Sequence, residues 1–461
     1  MMKSKNLIIP FICILLALSL SACVPGSTGT DHTASTETTA EHPSVPDFST
    51  PEASSEADTT EAETEGYVVN EGSPLSTLPR YTAGVCTAYW DMENGAEILL
   101  FRADSSEGYE QYLTELEQSG FSLYTENEIV GNLYSTWTND IVHVTMMYLP
   151  ALQNVRILAE PASIGLPSLE SDNLYTDAGI QNSIIQLGTD FDGDTRNGMC
   201  YIYQLCDGSF IIVDSGDGQT SISDNIYNTL KKYAPDPDNI VVAAWFITHV
   251  HGDHTSAFHL FAQSYSDEIT VEQFIYNYPP ERVFVKTGEP LEKISQTAAA
   301  CAMFEGARII EAHPGQEFYI RDAYVEMIYT LDLYNRETID FMNNSSLVFS
   351  ITFDDTKIMQ TGDCGPVASP IITNLYGEYL DCDILQVAHH GYEGATQLLN
   401  QLFAAEVILY PSTDDQVYRR NWDKRHLPFH EIEHCYVANN IGTRIPLPFN
   451  PDTVETWPLF E

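Results

Sequence analysis

Short apolar runs recur through the carboxy-terminal part of the chain, and polar or glycine-rich residues separate them. Runs of this length, bounded by turn residues, predict buried β-strands. They span 184–187, 200–205, 210–213, 241–248, 323–329, 347–353, 357–360, 384–388 and 407–410. Amphipathic stretches between them predict helices at 223–233, 255–262, 290–304 and 396–402. Strands and helices mixed in this way predict a layered α/β architecture.

The segment 67–165 has a pattern of its own and predicts a small α+β domain of unknown role. Strands are predicted at 96–101, 133–137 and 141–148, and an amphipathic helix at 108–118. The alternation of apolar and polar residues in the later strands predicts a small antiparallel sheet. His143 stands alone in one of these patterns, which favours a structural role over a ligand role.

The amino terminus resembles a bacterial lipoprotein signal. Two lysines precede an apolar run that is too short to predict a spanning helix, and Leu20-Ser21-Ala22-Cys23 follows it. We expect a signal peptide over 1–22, lipid on Cys23 and an extracytoplasmic location on the bacterial cell membrane; an ordinary secretory signal is the alternative. Residues 23–66 are rich in Ser, Thr and Glu and lack Lys and Arg, which predicts a disordered acidic tether.

Acidic residues dominate the composition. The chain has 20 Lys and Arg against 66 Asp and Glu, a formal net charge of −46. Such a surface opposes sequence-independent binding of nucleic acid through its phosphates, so nucleic acid is an unfavoured but open alternative as a partner. The charge does not restrict small substrates, because a bound divalent metal dominates its local field. Neither the oligomeric state nor a disulfide pattern follows from the sequence.

A dense histidine cluster follows the fourth predicted strand. The run Thr248-His249-Val250-His251-Gly252-Asp253-His254 places four candidate ligands together at the end of a rigid element. Zinc binds imidazole and carboxylate, and a catalytic site keeps a position open for water. His249 and His251 are two apart in an extended segment and can reach one metal, while Asp253 and His254 can reach a second after the turn. The run therefore predicts a metal-dependent hydrolase.

The H-x-H-x-D-H pattern of this run resembles the signature of the metallo-β-lactamase superfamily. Further motifs of the family occur in the family's order: 211–216 with Asp214, 357–363 with Thr361-Gly362-Asp363, and 383–391 with His389-His390-Gly391. The resemblance implies a four-layer αββα sandwich over 175–450, preceded by the small α+β domain. It also implies that the site lies at the edge of the two sheets.

The resemblance implies a role for each motif residue. The implied ligands are His249 and His251 for a first metal, Asp253, His254 and His389 for a second, and Asp363 as the bridge. Asp214 is expected to support the ligands. His390 is the alternative to His389, and whichever of the two does not coordinate is expected to donate a hydrogen bond to the substrate. Asp253 or a neighbouring histidine is the candidate for moving a proton. The implied cofactor is zinc, as one or two ions, with manganese as an alternative.

Within the superfamily, the chain resembles the extracytoplasmic metallohydrolase domains of DNA-uptake competence proteins and of phosphorylcholine esterases. This resemblance depends on Asn343-Asn344-Ser345-Ser346-Leu347-Val348 and on His389-His390-Gly391. Many members place a third histidine of the first metal site shortly before the T-G-D motif, where this chain has asparagine. His313, which precedes a Pro-Gly turn, is the alternative third ligand, although a structural role is the preferred interpretation.

The leading functional hypothesis is hydrolysis of a phosphodiester or phosphocholine-like bond in a small-molecule or envelope ester. Lactone or β-lactam hydrolysis is the second hypothesis. The third is a binding protein that holds metal without turnover, which the asparagines in place of a histidine favour. Cys364, next to Asp363, and His259, on a predicted helix, are interpreted as packing residues.

Overall fold

The computed structural model describes residues 67–92, 95–171, 179–188, 198–279, 291–334, 342–392, 394–414, 417 and 434–459. The predicted signal peptide, Cys23 and the predicted tether lie outside these residues. Within the described ranges, no helix combines the length and the apolarity that crossing a membrane requires. Residues 62–461 belong to one compact unit, which includes both folded parts of the chain.

The amino-terminal part forms one antiparallel sheet with a helix on one face. Its elements are β1 (Val85–Asp91), β2 (Glu97–Arg102), α1 (Glu107–Gln118), β3 (Ser122–Ile129), β4 (Asn132–Thr138), β5 (Val142–Leu149) and β6 (Asn154–Pro161). The order across the sheet is β1-β2-β6-β5-β4-β3. Tyr112 and Leu116 of α1 pack with Val144 and Ile157 of the sheet, because the helix turns its apolar stripe inward.

The larger part begins with a mixed sheet and the helices that cover it. Its elements are β7 (Ser183–Leu187), β8 (Cys200–Gln204), β9 (Phe210–Asp214), α2 (Thr220–Tyr233), β10 (Ile240–Phe246), α3 (Gly252–Tyr265), β11 (Ile269–Val271), β12 (Gln273–Tyr276), α4 (Glu292–Cys301) and β13 (Arg308–Glu311). Strands β9, β10, β12 and β13 run parallel, so the carboxyl ends of β9 and β10 meet at one edge.

A second sheet faces the first. Its strands are β14 (Glu317–Ile320), β15 (Ala323–Tyr329), β16 (Val348–Phe353), β17 (Thr356–Gln360), β18 (Ile384–Gln386), β19 (Val407–Tyr410) and β20 (His434–Val437), in sequential order. Helices α5 (Ala368–Tyr376) and α6 (Gln397–Phe403) cover its outer side. The last strands, β21 (Ile441–Pro446) and β22 (Glu455–Pro458), return to the first sheet beside β7.

Three apolar layers hold the larger part together. Val213 and Phe246 of the first sheet meet Phe349 and Ile358 of the second in a shared core, where the rings of Phe246 and Phe349 stack at 4.4 Å between centroids. The outer faces bury separate cores under α2, α3 and α4 on one side and under α5 and α6 on the other. This arrangement confirms the four-layer αββα sandwich preceded by a small α+β domain.

The amino-terminal sheet packs directly on the larger part. Asn132 Nδ2 donates to the Leu375 carbonyl at 2.9 Å, and the hydroxyls of Tyr134 and Tyr376 lie 2.8 Å apart. Val250, in the middle of the histidine run, packs in one buried cluster with strand residues of the amino-terminal sheet, including Ile98 and Leu158. The amino-terminal domain therefore stabilises the very segment that bears the candidate ligands.

Candidate metal centre

Four loops bring the motif residues to one edge of the sandwich. Each loop follows the carboxyl end of a strand: Asp214 ends β9, the histidine run follows β10, Asp363 follows β17, and His389-His390 follow β18. Neighbouring parallel strands bring their carboxyl ends to the same edge of a sheet. The four motifs, separated in sequence, thus converge because strand order places them there.

Two groups of ligand-type side chains form at this edge. One contains His249, His251 and Asp363, the other Asp253, His254 and His390, and within each group the ligand atoms lie within 4.8 Å of one another. All six are buried or half-buried. The structure thus brings together five of the six predicted metal ligands and places His390 where His389 had been preferred.

Asp363 joins the two groups. Its Oδ2 lies 3.7 Å from His249 Nε2 in one group and 3.7 Å from His390 Nε2 in the other. Its Oδ1 lies 3.2 Å from His254 Nε2. Gly362 before it adopts a φ of +50°, and a Cβ there would come within 2.9 Å of Thr248 Cβ. Glycine is therefore needed to bring the Asp363 loop against the histidine run.

Asp214 fixes the orientation and tautomer of two histidines. It is fully buried and takes His254 Nδ1–H at 2.7 Å. Its carboxylate also accepts the Thr248 hydroxyl at 2.7 Å, and that oxygen in turn faces His249 Nδ1 at 3.1 Å. Since the Thr248 proton goes to Asp214, its oxygen accepts from His249. When both rings are neutral, their Nε2 atoms are therefore unprotonated and face Asp363, as ligation requires.

His390, rather than His389, completes the second group. Its Nδ1–H donates to the Pro411 carbonyl at 2.8 Å, and its Nε2 lies 3.2 Å from Asp253 Oδ2 and 3.3 Å from His254 Nε2. His389 is part of neither group and is only partly buried. The preference for His389 assumed that the strand continues to Ala388, but β18 ends at Gln386.

Backbone conformation explains why the two histidines exchange places. Both adopt left-handed φ angles, +52° for His389 and +51° for His390. The alternation of side chains along a strand therefore no longer applies after β18. The geometry favours His390 as the ligand, and coordination itself stays a prediction.

The residues present fit divalent metal. Asp363 Oδ1 is buried and accepts no hydrogen bond from the described residues when His254 is neutral with its proton on Nδ1. Burial lowers the pKa of His249 well below its usual range, which keeps it in the neutral form that binds metal. Burial also opposes protonation of His254, but Asp363 and Asp214 outweigh it and raise its pKa well above the ordinary value. A cation between His254 and Asp363 would replace that proton.

Asn343 lies in the turn where many members of the superfamily have a histidine. It is fully buried, and neither polar atom of its side chain has a hydrogen-bond partner among the described residues. Its turn is fixed to the site, because Leu347 N donates to the Thr248 carbonyl at 3.0 Å and Asp363 N donates to Ser346 Oγ at 3.1 Å. The turn is thus held in place without the Asn343 amide.

The other weighed residues have structural surroundings. His313 binds Asp332 and Glu160 with its two ring nitrogens, at 2.7 and 3.3 Å, so it is not the missing third ligand. Burial raises the pKa of Cys364 to about 12, and its thiol packs against Ser369. His143 hydrogen-bonds Thr138, and His259 hydrogen-bonds Thr297, so each histidine has a polar partner within the fold.

Two contacts that orient candidate ligands were not predicted from the sequence. Thr248 is adjacent to the signature, and a hydroxyl residue directly before the first histidine is the signal that could have suggested it. The Pro411 carbonyl that orients His390 lies at the end of β19, and nothing in the local sequence indicates its role. It becomes visible only when β18 and β19 pair in the sheet.

Comparisons with known proteins agree with this geometry. Residues 193–409 match the family model of the metallo-beta-lactamase superfamily. No curated protein matches the chain. Among solved structures, the metallo-beta-lactamase fold protein YhfI from Bacillus subtilis is 12% identical, with 56% of this chain and 98% of that chain covered and a TM-score of 0.33.

Two further structures have similar values. The diiron β-hydroxylase CmlA from Streptomyces venezuelae is 10% identical over 58% of this chain and 54% of that chain, with a TM-score of 0.35. The short form of human tRNase Z is 13% identical over 50% of this chain and 91% of that chain, with a TM-score of 0.28. With TM-scores this low, the assignment of the fold rests on the family model and on the layered sheets.

Proposed function

We propose that this chain, whose residues 193–409 match the family model of the metallo-beta-lactamase superfamily, hydrolyses a phosphodiester or a phosphocholine-like ester with two divalent metal ions. The observation that carries the proposal is the position of Asp363, which belongs to one group of ligand-type side chains and lies 3.7 Å from His390 of the other. Two ions held side by side lower the pKa of a shared water and polarise the oxygens of a phosphoryl group. Zinc is the proposed ion, and manganese is the alternative.

The chain's own residues divide the remaining work. Asp253 has a side chain that is 37% exposed, whereas Asp363 is buried, so Asp253 is the carboxylate that can exchange a proton with solvent. We assign Asp253 to proton movement in addition to ligation. Asp214 acts on the reaction only through His254 and Thr248, by holding them in position. His389, beside the ligand His390 and partly exposed, is the candidate donor to the substrate.

The choice of a phosphoryl substrate depends on sequence as well as on geometry. The Asn343–Val348 run and the double histidine resemble competence proteins and phosphorylcholine esterases, and a two-ion site suits both attack on phosphorus and departure of the alcohol. Lactone or β-lactam hydrolysis and metal holding without turnover are the alternatives. Each predicts a different result in the same assay.

The test uses the full chain, purified in mild detergent and loaded with zinc or manganese. We expect cleavage of bis(p-nitrophenyl) phosphate or p-nitrophenylphosphorylcholine, loss of that cleavage in His251→Ala, and retention in His143→Gln, which removes a histidine outside the site. Cleavage of a lactone or β-lactam alone would replace the proposal with the second hypothesis. Bound metal without turnover of any substrate would favour the binding protein, and absence of bound metal would contradict both.

We also propose that lipid on Cys23 anchors the enzyme outside the cytoplasm, so that its substrate is a small-molecule or envelope ester. The motif around Cys23 and the acidic segment after it support this location. In a bacterial host, Cys23→Ser is expected to abolish incorporation of labelled palmitate and to move the protein out of the membrane fraction. Cys86→Ser, which changes a cysteine of the folded part, is the matched control. Equal labelling of both variants would contradict the anchor.

A further inference from the structure

A single lysine stands beside the metal-binding loop without a carboxylate partner. Lys293, in the first turn of α4, is half-buried, and its Nζ donates to Ser256 Oγ at 3.0 Å. No carboxylate of the described residues forms an ion pair with it. The other half-buried cations of the described residues are ion-paired: Arg321 with Asp207 and Glu272, Arg444 with Glu455, and Lys357 with Glu326. In a chain of net charge −46, an unpaired half-buried ammonium requires an explanation.

The position of Lys293 relates it to the metal centre. A Cβ added at Gly252 would lie 3.2 Å from Ser256 Oγ and 3.9 Å from Lys293 Cε. Gly252 is the residue between His251 of the first ligand group and Asp253 of the second. The ammonium stem of Lys293 therefore lies against the loop that spans both groups.

The packing of α4 holds Lys293 at this place. Leu291 and Ile294, on either side of it, pack against the buried cluster that contains Val250 of the histidine run. Thr297, one turn further, bonds the Lys293 carbonyl at 2.7 Å and faces His259 of α3 at 2.9 Å. Helix α4 is thus held against α3 by the Lys293–Ser256 and Thr297–His259 contacts. The start of α4 cannot move away from the loop without exposing apolar surface.

We propose that Lys293 binds an anionic phosphoryl oxygen of a phosphoester or phosphonate substrate at the rim of the metal centre. This inference rests on the proposed function for its substrate class. A fixed ammonium next to divalent ions is repelled by them unless an anion lies between, and an anionic phosphoryl group is attracted by both. Lys293 then discriminates in favour of anionic esters over neutral ones of the same size.

The competing explanation is that Lys293 only ties α4 to α3 through Ser256. The two explanations separate with matched variants of the full chain. Lys293→Met removes the charge and keeps most of the stem, whereas Ser256→Ala removes the tie and keeps the charge. Lys231→Met removes the same charge from α2, near Tyr227 and Tyr265 at the far end of α3 from Gly252. Lys293→Arg keeps a cation.

The kinetic test compares bis(p-nitrophenyl) phosphate with the neutral ester p-nitrophenyl acetate. A charge-assisted hydrogen bond contributes enough that its loss should raise KM for the anionic diester about tenfold or more in Lys293→Met. We expect kcat to change less than KM, the neutral ester to be unaffected, and Ser256→Ala, Lys231→Met and Lys293→Arg to stay near wild type. The KM of the wild type should also rise with ionic strength more steeply than that of Lys293→Met.

A binding measurement keeps the inference testable if no phosphodiester is cleaved. Calorimetric titration of inorganic phosphate and of phenylphosphonate into the zinc-loaded protein should show about tenfold weaker binding in Lys293→Met than in Lys231→Met. Equal affinities in these two variants would overturn the inference whatever the enzyme hydrolyses. So would a loss in Ser256→Ala as large as that in Lys293→Met, because it would reduce Lys293 to a structural tie.

Discussion

His254 and His313 are both buried imidazoles held between two carboxylates, with closely similar distances. His254 lies 2.7 Å from Asp214 and 3.2 Å from Asp363, and His313 lies 2.7 Å from Asp332 and 3.3 Å from Glu160. Judged by the histidines alone, the two clusters would be assigned the same role. The difference between them lies in what surrounds the carboxylates.

Around His313 the protein supplies its own hydrogen-bond donors. Asp332 Oδ2 accepts from Thr330 Oγ1 at 2.7 Å and from Asn277 Nδ2 at 3.0 Å, and the Asp332 carbonyl accepts from the buried Arg156. The cluster joins Glu160 of the amino-terminal sheet to the larger part of the molecule. It is a network of the protein's own groups, and its role is to hold the two parts together.

Around His254 the neighbours are further acceptors rather than donors. Asp363 meets His249 and His390, whose Nδ1 atoms are already occupied, so with neutral rings the free nitrogens and carboxylate oxygens that converge are all acceptors. Such a group is stable only with a cation between its members. A buried histidine therefore indicates metal when its neighbours' free atoms are acceptors, and structure when they are donors.

The largest effect on metal content and activity is expected from a substitution of Asp363, the carboxylate that both ligand groups share. Asp363→Asn takes away the carboxylate that both groups share, and we expect metal content to fall and phosphodiester cleavage to drop by at least about a hundredfold. Elemental analysis and steady-state rates measure the two effects. Asp354→Asn, in an exposed turn with a left-handed φ that asparagine tolerates, is the matched control. Asp332→Asn should keep its metal; if it loses metal as Asp363→Asn does, the two clusters do not differ as argued.

A large loss of stability, rather than of metal, is expected at the second cluster. His313→Leu leaves Glu160 and Asp332 buried without their shared partner, which should lower the free energy of unfolding by about 3–5 kcal/mol. Chemical denaturation followed by fluorescence measures the loss. Metal content per folded molecule should be unchanged, and a fall in metal content at full stability would assign His313 to the metal centre after all.

A smaller effect is expected from the residue that orients the ligands. Asp214→Asn keeps the volume of the side chain but replaces one acceptor by a donor that faces Thr248 or His254. Loss of such an orienting group weakens metal binding about 10–100-fold. Competition with a chromogenic chelator measures the affinity, and Asp217→Asn in the same loop is the control. An unchanged affinity would mean that Asp214 supports only the fold.

The sequence predicted the larger part of the molecule better than the smaller. Strand β19 is buried along its whole length and β15 at all positions but Tyr324, so their mainly apolar runs predicted their bounds correctly. Strands β1 and β3 were missed because they are half-exposed and carry polar residues such as Glu126 and Glu128. Helix α5 was missed as well: Pro370 argues against a helix, yet in the first turn its missing N–H costs no hydrogen bond.

The site was predictable where ligands are adjacent in sequence. The histidine run and the T-G-D motif present side chains from rigid strand ends, so their convergence followed from the resemblance. The geometry favours His390 where the sequence favoured His389, because two consecutive residues adopt left-handed φ angles and the Pro411 contact comes from another strand. Lys293 carried no motif at all, and only the packing of α4 on α3 relates it to the loop.

The smallest effect is the pH dependence of stability that His313 contributes. Burial alone would lower the pKa of His313, but Glu160 and Asp332 outweigh it and raise that pKa well above the ordinary value of about 6.5. Protonated His313 therefore stabilises the fold fully below about pH 6.5, and this contribution is lost as pH rises through the raised pKa.

The stability of the wild type should thus fall above about pH 6.5, by at most about 1.4 kcal/mol per pH unit for the one proton. His313→Gln keeps a polar side chain but cannot take up a proton, so its unfolding free energy should fall less steeply with pH than that of the wild type and approach it at high pH. Unfolding curves of both proteins at matched ionic strength, in the presence of chelator, measure the difference. If the free energies of unfolding of the two proteins change with pH in parallel, His313 is neutral in the folded protein. His313 and His254 would then share only their distances to carboxylates.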